Sequence, residues 1–538
     1  MAPYVSESPR GALLSSKFVS SLILIFMFLD KVSASNSTNT NYETYLNCLS
    51  NHSLDHSSQI PIYLPNTSSY NSILNSSIEN LRFSSPKTPK PHLIITPLNE
   101  SQVQTVVICS TKHKFQIRTL SGGHDYEGLS YTSNQTPPFV MLDLINFQSI
   151  NVDVEGETAW VQAGATLGLL YYKIMEKSPV HGFPAGVCTT VGVGGHFSGG
   201  GYGFLMRKYG LSADNIVDAW IVNTKGEILD RESMGEDLFW AIRGGGAASF
   251  GVVLSWKIKL VQVPPKVTVF RITKTSEQGA IPLLHKWQYI TDKLPKDIII
   301  QVALVRINLT TLAFFQSMFL GSKEQLIQIM QERFPELGLK LEDCIETSWV
   351  RSTLYFDSLP FNGSLSILLD REPKPKTNIK AKSDFVKTPI LITGLREIWR
   401  RFDEVDNPAM VMFPYGGRMA EILESEIPFP HREGNIYQIS YSVSWNGGVE
   451  ESVKNIGWMR RLYEYMTPYV SKLPRDSYSN YRDLDLGQNR IDGSSSYKEA
   501  KVWGVKYFKS NFDRLVKVKS KVDPDNFFSN EQSIPTLP

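Results

Sequence analysis

Two glycine-rich segments hold the residues whose types and spacing can do chemistry. The first reads Ser121-Gly122-Gly123-His124-Asp125-Tyr126-Glu127-Gly128. The second runs Cys188-Thr189-Thr190-Val191-Gly192-Val193-Gly194-Gly195-His196-Phe197-Ser198-Gly199-Gly200-Gly201-Tyr202. Glycine clusters let backbone N–H groups converge on phosphate oxygens with no Cβ in the way. Neither segment is a Walker loop, because no Gly-Lys-Ser/Thr follows, and the Rossmann spacing to an acidic residue is missing. Taken singly, a Gly-Gly-His is most often a turn and a cysteine most often a buried thiol. Two glycine loops, a histidine nucleophile and a thiol together describe a site that holds a dinucleotide along its pyrophosphate and can attach it covalently. A third cluster, Arg243-Gly244-Gly245-Gly246, ends a helical stretch and precedes a strand.

The elements around these loops must hold them in place. Residues 35–85 are rich in Ser, Asn and Thr, with helical text at Tyr42–Ser50 and Tyr70–Leu81. Proline-punctuated text at 86–98 opens a domain, followed by a helix from Ser101, its cap, to His113 and a strand at 116–118. From 138 to 260, β-branched runs alternate with helical text at 167–177 and 236–242, an α+β layout. Pro264-Pro265 marks a boundary. Beyond it, strands at 267–273, 298–307, 312–320 and 437–445 alternate with helices at 278–294, 323–332 and 449–467. That mixture predicts an antiparallel sheet covered by helices. The resulting division is 1–34 as a signal peptide, 35–85 as an N-terminal helical segment, 86–263 as a first domain, 264–475 as a second, and 476–538 as a return to the first.

Composition narrows the partners. The 538 residues carry 55 Lys+Arg against 53 Asp+Glu, a net charge of +2, which excludes a polybasic nucleic-acid binder. Arg10 and Lys17 precede an apolar run from Phe18 to Leu29, and Val32-Ser33-Ala34 offers a cleavage site. The run is too short to span a bilayer, so the mature chain is expected outside the membrane. Eight Asn-X-Ser/Thr sequons, at Asn36, Asn51, Asn66, Asn75, Asn99, Asn134, Asn308 and Asn362, fit a glycoprotein of the vacuole, the cell wall or the extracellular space. Heavy N-terminal glycosylation argues for a monomer. In that oxidising setting two of the four cysteines are expected to pair. Cys48 with Cys109 is the choice that ties the N-terminus down. No metal ligand set is assigned.

These segments resemble the berberine bridge enzyme-like family, plant flavoproteins of the vanillyl-alcohol-oxidase superfamily that are also similar to cannabinoid oxidocyclases. The likeness runs through Ser121–Tyr131, Val187–Asn215 and Met234–Gly246, then Asn480-Tyr481-Arg482-Asp483 and Asp523-Pro524-Asp525-Asn526-Phe527-Phe528. It implies an α+β vanillyl-alcohol-oxidase-type FAD-binding domain of two α+β subdomains plus a substrate domain. It also implies FAD held by two covalent bonds, His124 to the 8α-methyl and Cys188 to C6. Ser121, Gly122, Gly123, Asp125, Tyr126, Val191, Gly192, Gly194, Gly195, His196, Ser198, Gly199, Gly200, Tyr202, Val253 and Asn526 would complete the cofactor site. Val191 stands where relatives admit dioxygen, favouring an oxidase.

By the same resemblance Tyr481 would be the catalytic base, provided something offsets its ordinary pKa near 10. On the strand 437–441, alternation puts Gln438 and Ser440 on one face, where berberine bridge enzyme carries a glutamate. These two can hydrogen-bond a substrate but cannot take its proton. Leu120 replaces a common arginine, which would reduce electrostatic support near the cofactor, and Thr189 replaces a common proline, which would loosen the loop. Three functions fit. The first is an oxidase passing hydride from a phenol, prenylated phenol or alcohol to FAD and then to O2, giving hydrogen peroxide, with oxidative cyclisation where the substrate permits. The second is a non-redox [4+2] cyclase on the same scaffold, and the third a non-catalytic flavin-bearing glycoprotein.

Overall fold

The computed structural model describes residues 41–51, 59–372 and 374–537. The signal segment and Asn36 lie outside the described residues. Near the N-terminus, Leu93–Ile95 and Gln116–Leu120 both run parallel to Phe139–Asp143, and Ile62–Tyr63 pairs antiparallel at the edge. The helix Glu100–His113 crosses between them. Its cap is Asn99 rather than Ser101: Asn99 Oδ1 accepts the Gln102 N–H at 3.1 Å, and Ser101 sits inside the first turn donating to the same oxygen. Asn99 itself is extended, at φ −150° and ψ 172°, the non-helical conformation that a cap requires.

A second sheet is antiparallel throughout, in the order Ile150–Asp153, Thr158–Gln162, Val252–Lys259, Ile216–Val222, Ile228–Leu229. Helix 41–51 is bound to the first sheet's helix by the Cys48–Cys109 disulfide. Of the sequon asparagines described, all are exposed except the half-buried Asn99.

The third sheet has seven antiparallel strands, from Ile345–Thr347 at one edge to Asn378–Val386 at the other. Strand Tyr437–Trp445 shows why helices cover one face. Tyr437, Ile439, Tyr441, Val443 and Trp445 are buried, while Gln438, Ser440, Ser442 and Ser444 alternate with them. The apolar row packs under Val449–Met466, whose Trp458, Met459, Leu462 and Met466 recur at helical spacing. Each large side chain so buried contributes about 1.5–3 kcal/mol. The whole is α+β, with an antiparallel sheet under helices.

The edge strand Asn378–Val386 buries three charges on one face, Lys380, Lys382 and Asp384. Lys380 pairs with Glu127 and, at 2.8 Å, with Asp483. Lys382 pairs with Asp483 at 2.5 Å and Asp485 at 2.9 Å. Arg82 adds a bond to Glu127 and Arg460 one to Asp485. Burial works against the Lys380 charge, and the Glu127 and Asp483 carboxylates outweigh it, holding that pKa above its ordinary value. The strand's free edge is closed by Asn80, whose side chain bonds both Ile379 N and O, and by Leu81 N–H on Thr377 O.

The C-terminal segment packs back on the first half. Phe512, Leu515 and Val516 of Asn511–Val522 share a core with Leu238–Ile242. Glu531 pairs with Arg118 at 2.9 Å, both buried. No helix among the described residues is long and apolar enough to cross a membrane.

Candidate active site

A cavity of about 400 Å³ opens between the glycine loops and the C-terminal segment. Every residue expected to bind the cofactor lines it except two. Gly200 turns the backbone behind it, at φ +127° with its N–H on Phe197 O. Asn526 lies in a turn of the Asp523 segment, donating to Ser495, and Asn530 and Gln532 take the wall position instead. Gly245 and Gly246 of the third glycine cluster also line the space, together with Tyr478 and Asn480.

The two loops touch where side chains cannot fit. A Cβ on Gly122 would stand 2.3 Å from Gly192 N, and one on Gly192 would stand 2.1 Å from Ser121 Oγ. At Gly195 and Gly246 a Cβ would meet nothing within 4 Å, because both face the cavity. This glycine-faced cradle fits a dinucleotide lying along the loops.

His124 and Cys188 meet at its wall. His124 Nε2 lies 2.9 Å from Thr190 Oγ1, and Cys188 Sγ lies 3.6 Å from the same oxygen. Burial, helped by Lys376 and Arg371, pushes the His124 pKa down to about 4, so the imidazole is neutral and nucleophilic at neutral pH. Burial raises the Cys188 thiol, and the Thr190 hydroxyl opposes that. A second cavity of about 230 Å³ reaches the same two residues from the side of Arg371 and Lys374.

Two expectations about this loop are overturned. Thr189 does not loosen it. Its N–H and hydroxyl both donate to Asp357 Oδ2, at 3.1 and 3.0 Å, a pair of bonds that a proline could not make. Leu120 does not leave the region without a cation. It packs against Tyr70, Leu74 and Tyr131, and Arg371 from another part of the chain donates to Ser121 O and Gly164 O.

Tyr481 stands in a cluster of rings. Tyr126, Tyr202 and Tyr478 lie 5.7, 6.0 and 5.1 Å from it, and Phe413 lies 4.8 Å from Tyr202. Its hydroxyl bonds that of Tyr202, with Ser440 also in reach. Burial pushes its pKa far up and Tyr126 adds to the rise, while the hydrogen bonds to Tyr202 and Ser440 lower it without reversing it; no cation is among its largest influences. Arg482, next in sequence, is held away by Asp125 at 3.0 Å. Gln438 and Ser440 share one strand face, as alternation requires. They stand behind the rings rather than in the cavity wall, with Gln438 Oε1 accepting the Tyr415 hydroxyl at 3.4 Å.

Sequence reasoning missed Thr190, Asp357, Arg371 and Tyr478. Thr190 had a usable signal, since it lies two residues from Cys188. The others come from distant text with no motif.

Residues 91–231 match the FAD binding domain family, and residues 477–535 match the berberine and berberine like family. Tetrahydroberberine oxidase of Berberis wilsoniae is 55% identical over 534 residues, covering 97% of this chain and 99% of its own. The chain belongs to the berberine bridge enzyme-like family. BBE-like 28 of Arabidopsis thaliana superposes with a TM-score of 0.88 at 49% identity, over 92% of this chain and all of that one. Wild-type Phl p 4, described as a glucose dehydrogenase, superposes at 0.87 with 43% identity over 92% of this chain and 100% of its own. Its isoleucine-to-valine variant is described as a glucose oxidase, with the same score, identity and coverage. This berberine bridge enzyme-like chain has the vanillyl-alcohol-oxidase-type α+β fold and is an FAD-linked oxidoreductase, which removes the non-catalytic reading.

Proposed function

We propose that the chain is a secretory-pathway oxidase that takes hydride from a carbon next to the nitrogen of a tertiary-amine plant metabolite, with dioxygen as final acceptor. His124 and Cys188 would hold FAD by two covalent bonds, and the cofactor would supply the hydride acceptor. The observation that carries this reading is the cluster around Tyr481. Oxidation of an alcohol or phenol needs a base for the O–H proton as hydride leaves, and burial disfavours the Tyr481 phenolate, with no cation among the largest influences on it. An amine needs no such base, because the nitrogen lone pair drives hydride out and leaves an iminium. The faces of Tyr126, Tyr202, Tyr478 and Phe413 suit that cation. On this argument an amine is preferred to the phenol or alcohol expected from the sequence, in line with the name of the Berberis relative. Val191 in the cavity wall supports dioxygen as acceptor, in line with the Phl p 4 pair. The Cys48–Cys109 disulfide and the exposed sequons support export and glycosylation.

The test is anaerobic mixing of the purified protein with tertiary-amine alkaloids, cinnamyl-type alcohols and sugars while the flavin band near ~450 nm is followed. Bleaching by the amines, reversed by air with release of peroxide, is expected. Bleaching by alcohols alone sinks the amine reading, and product without bleaching replaces it with the non-redox cyclase.

A further inference from the structure

Thr190 stands between the two residues that would tether the cofactor, with Oγ1 2.9 Å from His124 Nε2 and 3.6 Å from Cys188 Sγ. A hydroxyl has one proton to give and lone pairs to receive, so the His124–Thr190–Cys188 chain has two polarities. In one, Cys188 S–H donates to Thr190, whose hydroxyl donates to Nε2. Nδ1 then carries the ring proton, and neither tethering atom is a nucleophile. In the other, Nε2–H donates to Thr190 and the hydroxyl donates to sulfur. Nδ1 then presents a bare lone pair, and the sulfur is an acceptor ready to be a thiolate. The Thr190 backbone also bonds the His124 ring and the Cys188 sulfur, and His124 lines both cavities.

We infer that Thr190 is the positioning residue that makes His124 and Cys188 nucleophilic together, by accepting from His124 Nε2–H and donating to Cys188 Sγ. This rests on the proposed double attachment of FAD. The hydroxyl is placed by rigid surroundings. Thr189 is fixed on Asp357 and, through its carbonyl, on Gly168 N–H at 2.8 Å. The Thr190 carbonyl is so close to the first loop that a Cβ on Gly122 would come within 3.0 Å of it. Arg371, Lys374 and Lys376 on the second cavity disfavour a cationic imidazole; at Cys188, burial and Asp357 oppose the thiolate, and the Thr190 hydroxyl and Lys374 work against them. Each attachment would break one C–H bond of the flavin, at the methyl or at C6, and one N–H or S–H bond of the residue, to form the C–N or C–S bond. The two protons and two electrons released would pass to dioxygen as hydrogen peroxide.

The experiment compares full-length wild type, Thr190→Val and Thr190→Ser, each purified with bound flavin. Mass spectrometry of their peptides reads how much His124 and Cys188 carries the flavin. Wild type and Thr190→Ser are expected to be doubly linked. In Thr190→Val the doubly linked share is expected to fall to roughly a tenth or less, with FAD retained but acid-extractable or singly linked. Wild-type linkage in Thr190→Val overturns the inference alone. Equal loss of all flavin from both variants also overturns it, by marking Thr190 as structural. A wild type with neither linkage overturns the double attachment first and this inference with it.

Discussion

Changing Tyr481 to Phe separates two roles that a phenol in this position can play. The hydroxyl is buried and bonded to Tyr202, and burial disfavours its phenolate. Even an ordinary tyrosine is only about one part in a thousand phenolate at pH 7, and this one is less so. If its role is to orient Tyr202 and contact substrate, the variant loses one neutral hydrogen bond, about 0.5–1.5 kcal/mol. That is about a 2- to 13-fold drop in kcat/KM. Removing a general base would cost about 10²–10⁴-fold. The two ranges do not overlap, so anaerobic stopped-flow flavin reduction by a tertiary amine decides between them. Wild type and Tyr481→Phe are expected to share one pH limb, set by deprotonation of the substrate amine. A drop beyond about 10²-fold, or a limb that disappears in the variant, refutes the argument.

Three further outcomes follow from the same geometry. The edge-strand cluster holds four cations (Arg82, Lys380, Lys382, Arg460) and three carboxylates (Glu127, Asp483, Asp485). Lys380→Met leaves three of each and is expected to cost less than about 2 kcal/mol, whereas Asp483→Asn leaves four against two and is expected to cost about 3–5 kcal/mol; urea midpoints in the reverse order would disprove this. Burial pushes the His196 pKa down to about 4, its Nε2 accepting the Gly186 N–H. The unfolded chain therefore binds this proton from near pH 6.5 downward while the native state resists until about 4, so stability is full above that window and falls by about 3 kcal/mol across it. His196→Gln should flatten that stretch of the pH–stability curve, and an unchanged slope counts against it. Val191→Ile should slow reoxidation of the reduced flavin by air more than its anaerobic reduction by substrate; equal slowing of both would remove Val191 from the oxygen path.

The sequence shows its fold best where pattern and burial agree. Strands 298–307 and 437–445 and helix 167–177 stand at the residues expected, because alternation or helical spacing there directly reports a buried face. Asn378–Val386 hides from such reasoning, since three charges look like a solvated stretch until Glu127, Asp483 and Arg475 are known to meet them. Pro408–Pro414 lies inside the sheet with a proline at each end, where proline reads as a breaker. The glycine loops are local text and were readable. The environment of Tyr481 was not, because Tyr126, Tyr202 and Tyr478 come together only in the fold. What that environment does to a proton depends on burial, which no spacing records.

The way the seven-stranded sheet is finished has a consequence for biosynthesis. Its last strand is closed by Asn80 and Arg82 from near the start of the chain and by Asp483 and Asp485 from near its end. The cavity likewise takes Asn480, Tyr481 and Gln532 from the final sixty or so residues. Until that tail is made, Asn80 and Leu81 can cover the strand edge, but Lys382 lacks both of its carboxylates and the cofactor cleft is unfinished. Charge neutralisation of the buried strand and completion of the cofactor cleft therefore arrive together, with the last sixty or so residues, and a truncation before Asn480 would forfeit both.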